Sequence, residues 1–188
     1  MKKFILLTLA FTMYMVSSLN STVTNQYWVP SIYKGEGEFE HPKIQEALLD
    51  PTQLECMAKN IYFEAAIEST AGKLAVAQVT LNRVNSTRFP NTICGVVKQG
   101  SHYSNGFAVR DRCQFSWYCD GKSDEPRKDS KEWFKAKEYA RIVLSGRIVL
   151  DVTEGATHYH ATYVKPAWAK TKTRTTRIES HIFYRWEK

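Results

Sequence analysis

The chain has 188 residues, of which 43% are hydrophobic and 24% charged, and its formal net charge is +7. These values are ordinary for a globular protein and exclude an intrinsically disordered chain and a membrane protein with several spans. The length suits one domain with a short extension and is sufficient for a hydrophobic core.

Residues 1–18 have the pattern of a secretory signal peptide. Two lysines precede an apolar run from Phe4 to Val16, which is shorter than a membrane-spanning helix, and two serines follow. We predict cleavage after Ser18 and export to the periplasm or out of the cell, with an uncleaved membrane anchor as the alternative. Residues 19–41 are polar and without a period, and the pattern becomes helical from Pro42. We predict a linker or N-terminal arm over 19–50 before a domain over 51–188.

The four cysteines are Cys56, Cys94, Cys113 and Cys119. An even number in an exported protein favours two disulfides over four buried free thiols. Three pairings are open. If the segment "CQFSWYC" is extended, Cys113 and Cys119 are too far apart to bond each other, and each pairs with Cys56 or Cys94.

The first predicted helix contains a carboxylate in apolar surroundings. Asp50 is a good N-cap, Pro51 suits the first helical position, and apolar residues then recur at spacings of three and four. Glu64 lies at the edge of the apolar stripe, and Glu68 lies within it if the helix extends that far. A carboxyl group that loses hydration has a raised pKa and can act as a general acid at neutral pH. The alternative is a salt-bridged glutamate at the surface.

The later elements place helices first and short strands last, which predicts an α+β fold. Asp129 and Glu132 form a predicted capping box for the last helix, and Asn91 or Thr92 caps the third. In chain order we predict a helix over 73–85, a short helix over 91–99, a loop over 100–112, an extended segment over 113–119, an amphipathic helix over 130–145 and a β-leaning region over 147–188.

Two features of the β-leaning region suggest binding. His158 and His160 share a face of a strand and could hold zinc with a further ligand, but no typical zinc motif is present, so a hydrogen-bonded pair lining a groove is favoured. The candidate further ligands are Asp151, Glu154, His102 and His181. We predict no metal and no cofactor.

The second feature is a basic loop over 165–177 that contains Trp168. Such a loop could contact nucleic acid or another polyanion. Export argues against nucleic acid, so we expect the loop to face an acidic cell envelope. Its cations are Lys165, Lys170, Lys172, Arg174 and Arg177.

Four blocks of sequence together resemble the SleB/CwlJ-type cell-wall hydrolases, the family of spore-cortex-lytic enzymes and their Gram-negative relatives. The blocks are "ECMAKNIYFEAAIESTAGKLAVAQVTLNRVNSTRFPNTICGVVKQ", "CQFSWYCDGKSD", "GATHYHATYVKPAWAK" and "RIESHIFYR", and the resemblance covers about residues 54–186. It implies a small lysozyme-like α+β domain of the transglycosylase type that acts on peptidoglycan glycan strands.

The resemblance also assigns roles to residues. It implies that Glu64 is the catalytic acid and that Gln114, Ser116, His158 and Tyr159 contact substrate in the groove. The family usually has E-A-R-G-E where this chain has Ala66 and Ile67 in place of the arginine and glycine. Both glutamates are retained.

We therefore expect an exported, monomeric enzyme that cleaves the β-1,4 bond between N-acetylmuramic acid and N-acetylglucosamine. Glu64 would act as both acid and base in a lytic transglycosylase, without nucleic acid and without membrane contact beyond an uncleaved signal segment. A lysozyme-type muramidase would need a second carboxylate, for which Glu68 is the candidate. Further alternatives are a zinc-dependent amidase or peptidase that uses His158 and His160, and a non-catalytic glycan-binding module.

Overall fold

The structure is a computed structural model that describes residues 50–146 and 150–187. It confirms an α+β fold with the helices first, whereas the predicted signal peptide and arm lie outside the described residues, except for Asp50. The elements are α1 (Pro51–Ala65), α2 (Thr70–Val84), α3 (Ile93–Val97), β1 (Gly100–His102), β2 (Ala108–Cys113), a first 3-10 helix (Ser116–Cys119), α4 (Lys131–Leu144), β3 (His158–Ala161), a second 3-10 helix (Ala167–Thr171), β4 (Thr173–Ile178) and β5 (His181–Arg185).

The start of α1 is where the sequence predicts it. The Asp50 carboxylate accepts a hydrogen bond from the Thr52 backbone N–H at 2.8 Å, and Pro51 occupies the first turn. The helix ends at Ala65, so Glu64 lies in its last turn and Glu68 lies beyond it.

The structure identifies the N-caps of two later helices, and it confirms one of the two predictions. Thr92 caps α3 by accepting from the Gly95 N–H at 3.0 Å, which settles the choice between the two candidates. For α4 the predicted capping box of Asp129 with Glu132 is wrong. Ser130 is the N-cap, and its hydroxyl accepts from the Trp133 N–H at 3.2 Å.

Helix α2 lies between two buried clusters. One cluster joins the helices and includes Met57, Ile61, Leu81 and Leu144. The other joins α2 to the sheet, with Ala75 and Val79 of the helix against Ala156 and Phe183. This double contact explains why α2 is apolar almost all round.

Among the described residues, no helix is both long and apolar enough to cross a membrane.

Two predicted loops are strands. Within 100–112, β1 and β2 form an antiparallel hairpin, closed by a hydrogen bond from the Tyr103 N–H to the Phe107 carbonyl at 2.8 Å. The basic loop over 165–177 contains the second 3-10 helix and most of β4, whose sequence "TRTTRI" is rich in β-branched residues. The second sheet is antiparallel in the order β3-β5-β4, so β3 is an edge strand.

The two predicted disulfides are present, but the pairing expected from an extended 113–119 segment is wrong. Cys56 bonds Cys94, which ties α1 to α3, and Cys113 bonds Cys119. The first 3-10 helix shortens the segment between Cys113 and Cys119, so their Cα atoms are 6.1 Å apart.

Candidate active site

A cavity of about 530 Å³ lies beside the last turn of α1. This volume is within the range typical of small-molecule sites. Its walls come from α1, from the first 3-10 helix with the turn after it, and from the edge of the sheet. The lining residues are Phe63, Glu64, Ser116, Trp117, Asp120, Lys122, Ser123, Tyr159, His160, Ala161, Tyr163 and His181.

The cavity wall formed by the first 3-10 helix is fixed to the helical core. Trp117 stacks on Phe63 with ring centroids 4.6 Å apart, and its indole N–H donates to the Asn60 side-chain oxygen at 3.0 Å. Asn60 is fully buried and donates in turn to the Thr80 hydroxyl at 3.1 Å. The 3-10 helix is therefore held against α1 next to Glu64, which favours a preformed site.

Glu64 is the candidate acid in this cavity. The Tyr159 hydroxyl donates to Glu64 Oε2 at 2.9 Å. Burial raises the pKa of the Glu64 carboxyl above its ordinary value, while the hydrogen bond from Tyr159 and the charge of Arg83 oppose that rise. Burial is the largest of these effects, so the protonated form persists to a higher pH than in a solvent-exposed glutamate.

Tyr159 reaches Glu64 because β3 runs along the cavity as an edge strand. Burial and the neighbouring Glu64 raise the pKa of the Tyr159 phenol well above its usual value. The phenol therefore stays protonated and serves as a hydrogen-bond donor. The contact between Tyr159 and substrate that the resemblance implies stays a prediction. Tyr159 lines the cavity, and its hydroxyl donates to the candidate acid.

Arg83 is a site residue that sequence reasoning missed. It lies on α2, is 4% exposed, and donates from Nε to the Thr157 carbonyl at 2.7 Å. Its guanidinium carbon lies 5.3 Å and 4.9 Å from the ring centroids of Phe89 and Phe115. A single arginine inside the apolar segment "KLAVAQVTLNRVN" was the available signal, because a buried charge needs a specific environment.

Asp120 is a second lining carboxylate that the sequence did not single out. It follows Cys119 directly and accepts from the Lys122 backbone N–H at 2.8 Å. That hydrogen bond, foremost among several effects, lowers the pKa of Asp120, so it is ionised at neutral pH. The segment "CDGKSD" belongs to the second sequence block of the resemblance, and its turn presents the carboxylate to the cavity.

Glu68 does not line the cavity. Its carboxylate accepts from the Ser180 hydroxyl at 2.5 Å, and its backbone carbonyl accepts from the Lys73 ammonium. It therefore connects the turn between α1 and α2 to the turn between β4 and β5. The neighbouring Ala66 and Ile67 are also outside the cavity lining, and Ile67 is 96% exposed.

Only some of the residues predicted to contact substrate in the groove line the cavity. Ser116 lines the cavity, whereas the exposed Gln114 does not, and its backbone N–H donates to the Gln99 carbonyl at 2.9 Å. His158 lies outside the cavity, with Nδ1 at 2.9 Å from the Thr157 hydroxyl. Burial, with smaller effects of two nearby cations, lowers the pKa of His158 to about 3.

The zinc alternative lacks a set of ligands in the described part of the chain. There, no three His, Cys, Asp or Glu side chains come together in a way that could hold a metal ion. His160 instead donates to or accepts from the Tyr184 hydroxyl through Nε2 at 3.0 Å. The Asp151 carboxylate is engaged by the backbone N–H groups of Thr153 and Gly155 at 2.8 and 2.7 Å.

The sequence has curated relatives among spore cortex-lytic enzymes. The one from Halalkalibacterium halodurans is 28% identical over 156 residues, which are 82% of this chain and 41% of the relative. The one from Oceanobacillus iheyensis is 30% identical over 132 residues, 69% of this chain and 40% of the relative. The chain thus spans about two fifths of the length of these relatives.

Two solved structures share the fold. The catalytic domain of the germination-specific lytic transglycosylase SleB from Bacillus anthracis matches with a TM-score of 0.54 at 28% identity, covering 72% of this chain and 96% of that one. The catalytic domain of the Bacillus cereus SleB protein matches with a TM-score of 0.51 at 27% identity, covering 72% and 91%. The resemblance inferred from the four sequence blocks and the lysozyme-like α+β fold are therefore confirmed.

The family model described as Cell Wall Hydrolase matches residues 67–184, which is more than half of the chain. The matched segment begins three residues after Glu64 and includes Asp120, Tyr159 and all of the three-stranded sheet except Arg185, the last residue of β5. On this match, the chain belongs to the cell wall hydrolase family.

Proposed function

We propose that the protein is an exported lytic transglycosylase that cleaves the β-1,4 bond between N-acetylmuramic acid and N-acetylglucosamine in peptidoglycan. The observation that carries the proposal is the cavity-lining Glu64, desolvated and hydrogen-bonded to Tyr159. The lytic transglycosylase named among the structural neighbours supports it.

The first chemical step uses the protonated form of Glu64. Its proton passes to the glycosidic oxygen while the bond from that oxygen to C1 of the muramic acid breaks, and the bonding electrons leave with the oxygen. Positive charge develops at C1 and at the ring oxygen. The Tyr159 hydroxyl occupies Glu64 Oε2, which leaves Oε1 to carry the proton toward the cavity.

The second step uses Glu64 as the base. The carboxylate removes the proton from the C6 hydroxyl of the muramic acid as that oxygen bonds to C1, which gives a 1,6-anhydro end and restores the protonated acid. Tyr159 and Arg83 favour the carboxylate that exists between the two steps, since both oppose the effect of burial on the pKa of Glu64. No water is consumed.

The second candidate function is a muramidase, and Asp120 is the observation that favours it. A hydrolase needs a carboxylate besides the acid, either to activate water or to act as a nucleophile. Glu64 and Asp120 line one cavity with pKa values displaced in opposite directions, which is the pattern of an acid paired with a base. Glu68, the carboxylate considered from the sequence, is bound elsewhere.

Mass spectrometry of the fragments released from purified sacculi tests the proposal and separates the two functions. A transglycosylase releases 1,6-anhydromuramic ends, which are roughly 18 Da lighter than hydrolysed ends because no water is added. Hydrated reducing ends released by the wild-type protein would replace the transglycosylase by the muramidase. Release of stem peptides without cleaved glycan would contradict both functions.

Export is tested separately. We expect the mature protein, produced in a Gram-negative host and recovered from the periplasmic fraction, to begin after Ser18. A protein that retains residues 1–18 and sediments with membranes would favour the anchored alternative.

A further inference from the structure

The three-stranded sheet has two faces in different surroundings. Tyr159 and Phe183 belong to the side that packs with α2. Because side chains alternate along a strand, His158, His160 and Tyr184 lie on the opposite face. His160 stacks on Tyr184 there, with ring centroids 5.2 Å apart. This outer face is therefore aromatic although its members belong to neither core cluster.

Two tryptophans extend the outer face toward solvent. Trp168, from the second 3-10 helix, has its ring centroid 5.3 Å from that of His158 and 5.4 Å from that of Tyr184. Trp186, directly after β5, lies 5.6 Å from His158 and is 44% exposed.

Two cations are held against these tryptophans. The Lys172 ammonium lies 4.4 Å from the ring centroid of Trp186 and 5.5 Å from that of Trp168, and the Arg88 guanidinium carbon lies 5.1 Å from the Trp186 centroid. We call Arg88, Trp168, Lys172 and Trp186 the outer patch. Cation–π contact restricts both long side chains, so less entropy is lost when they bind an anion.

Within the part of the chain that the structure describes, no acidic side chain neutralises the charge of the outer patch. Across residues 50–146 and 150–187, no carboxylate lies within ion-pair distance of Arg88 or Lys172. The nearest acidic residue in sequence, Glu187, pairs with Arg185 at 3.1 Å and offers Arg88 only its backbone carbonyl, at 3.3 Å. The patch therefore attracts an external anion. It is less suited to stacking a neutral sugar, because cations already contact the Trp186 ring.

The outer patch adjoins the catalytic cavity. His160 lines the cavity and its ring centroid lies 5.6 Å from that of Trp168. Since β3 is the edge strand, a ligand in the cavity can pass beyond that edge to the outer face. A polymer bound in the cavity thus has the patch within reach of its branches.

We propose that the outer patch binds the carboxylates of the peptide stems that branch from the muramic acid residues of the glycan strand. The proposal rests on the proposed function, because it takes the occupant of the cavity to be a peptidoglycan strand. Stems are acidic and flexible and leave the strand beside the bond to be cleaved. Arg88 and Lys172 supply donors for them outside the cavity, so the patch selects stem-bearing glycan without taking part in the chemical step.

The test compares two soluble substrates, glycan strands with their stems and the same strands after enzymatic removal of the stems. For the double variant Arg88→Gln, Lys172→Gln we expect KM for the stem-bearing strands to rise about three- to tenfold, since charge-assisted contacts are lost, with kcat unchanged. KM for the stem-free strands should equal that of the wild type. A variant whose only change is Lys172→Arg keeps the positive charge, so its KM for the stem-bearing strands should stay close to that of the wild type.

The matched control is Lys131→Gln, Arg141→Gln, which removes two exposed positive charges from α4 and should change neither KM. Equal loss on both substrates, or loss on neither, would overturn the proposal while leaving the function of the cavity intact. A Glu64→Gln protein that still cleaves both substrates would instead overturn the proposed function. Thermal melts of each variant separate a binding effect from partial unfolding, and a variant that melts early is replaced by the single Lys172→Gln change.

Discussion

Two glutamates four residues apart have different environments because α1 ends between them. Glu64, in the last turn of the helix, faces a cavity, and its carboxyl meets a phenol that is 95 residues away in sequence. Glu68, in the following turn, accepts from Ser180 and takes no part in that cavity. The residue type is the same, but only the first site combines burial with access to a ligand.

The turn that holds Glu68 is built for connection. Glu179 accepts from the Ser69 backbone N–H at 2.9 Å. Hydrogen bonding by the Ser69 side chain, and next by Glu68 and the Ser69 backbone, lowers the pKa of the Glu179 carboxyl. Two glutamates and two serines thus tie the α1–α2 turn to the β4–β5 turn. In this region the carboxylates stabilise the fold, whereas at Glu64 a desolvated carboxyl lines a cavity, where the proposed function gives it the role of proton donor.

The largest expected effect is that of Glu64→Gln. The amide keeps the size of the side chain and can still accept from Tyr159, but it has no proton to donate. We expect cleavage of sacculi to fall by at least about 100- to 10,000-fold with an unchanged melting temperature, since general acid–base catalysis contributes about that factor. Initial rates of dye release from labelled sacculi measure it. A variant with the wild-type rate would show that another residue is the catalytic acid.

Removing each disulfide in turn distinguishes contacts that stabilise the fold from contacts that shape the candidate site. Replacing Cys56 and Cys94 by serine opens a loop with a sequence separation of 38, against 6 for Cys113 and Cys119. In the loop-entropy description the costs are about 4 and about 2 kcal/mol of unfolding free energy, respectively. Urea unfolding of both double variants measures them.

The variant that loses less stability, the one without the Cys113–Cys119 bond, should lose more activity. The Cys113–Cys119 bond encloses Ser116 and Trp117 of the cavity wall and precedes Asp120. Under conditions where both variants remain folded, we expect the variant without this bond to lose more activity on short glycans. An equal loss would mean that packing of Trp117 on α1 suffices to hold the wall.

Tyr159→Phe tests which contact tunes Glu64. The catalytic acid must be protonated, so activity falls as the pH rises through the pKa of Glu64. The Tyr159 hydroxyl lowers that pKa, and removing it should therefore raise the pKa and move the alkaline limb of kcat/KM to higher pH. The maximal rate should drop about five- to tenfold, because the carboxylate formed during reaction loses a donor.

The control for Tyr159→Phe is Tyr163→Phe. Tyr163 lines the same cavity, is 86% exposed and makes no hydrogen bond to Glu64. Its alkaline limb should stay where the wild type has it. A shift of the Tyr159→Phe limb to lower pH would contradict the assignment of the hydroxyl as a stabiliser of the carboxylate.

Local patterns predicted the part of the site that one helix provides. The N-cap at Asp50, the apolar period of α1 and the position of Glu64 all follow from neighbours within a few residues. The environment of Glu64 does not, because Tyr159 and Arg83 arrive through sheet and helix packing that no local period encodes. The resemblance to a family supplied the function class and a predicted substrate contact for Tyr159, but not the hydrogen bond from Tyr159 to Glu64.

The missed strands and the wrong disulfide pairing have physical causes too. The hairpin over 100–113 is mostly exposed, so its residues lack the apolar alternation that predicts a half-buried strand. The segment between Cys113 and Cys119 contains aromatic residues typical of strands, yet tertiary packing of Trp117 against Phe63 accompanies a 3-10 helix there. Asp120 became a site residue only through that helix.

The smallest expected effect is that of Glu68→Gln, and it tests the second half of the comparison. The amide oxygen can still accept from Ser180, but the hydrogen bond no longer involves a charged acceptor, so we expect a loss of about 1 kcal/mol in unfolding free energy. Cleavage should stay within a few-fold of the wild type, because Glu68 lies outside the cavity and α1 remains held by Cys56–Cys94 and by the contact of Phe63 with Trp117. Urea unfolding and sacculus cleavage on the same preparation measure both quantities. A loss of activity as large as that of Glu64→Gln, without a matching loss of stability, would make Glu68 the second carboxylate of a hydrolase and remove the distinction between the two glutamates.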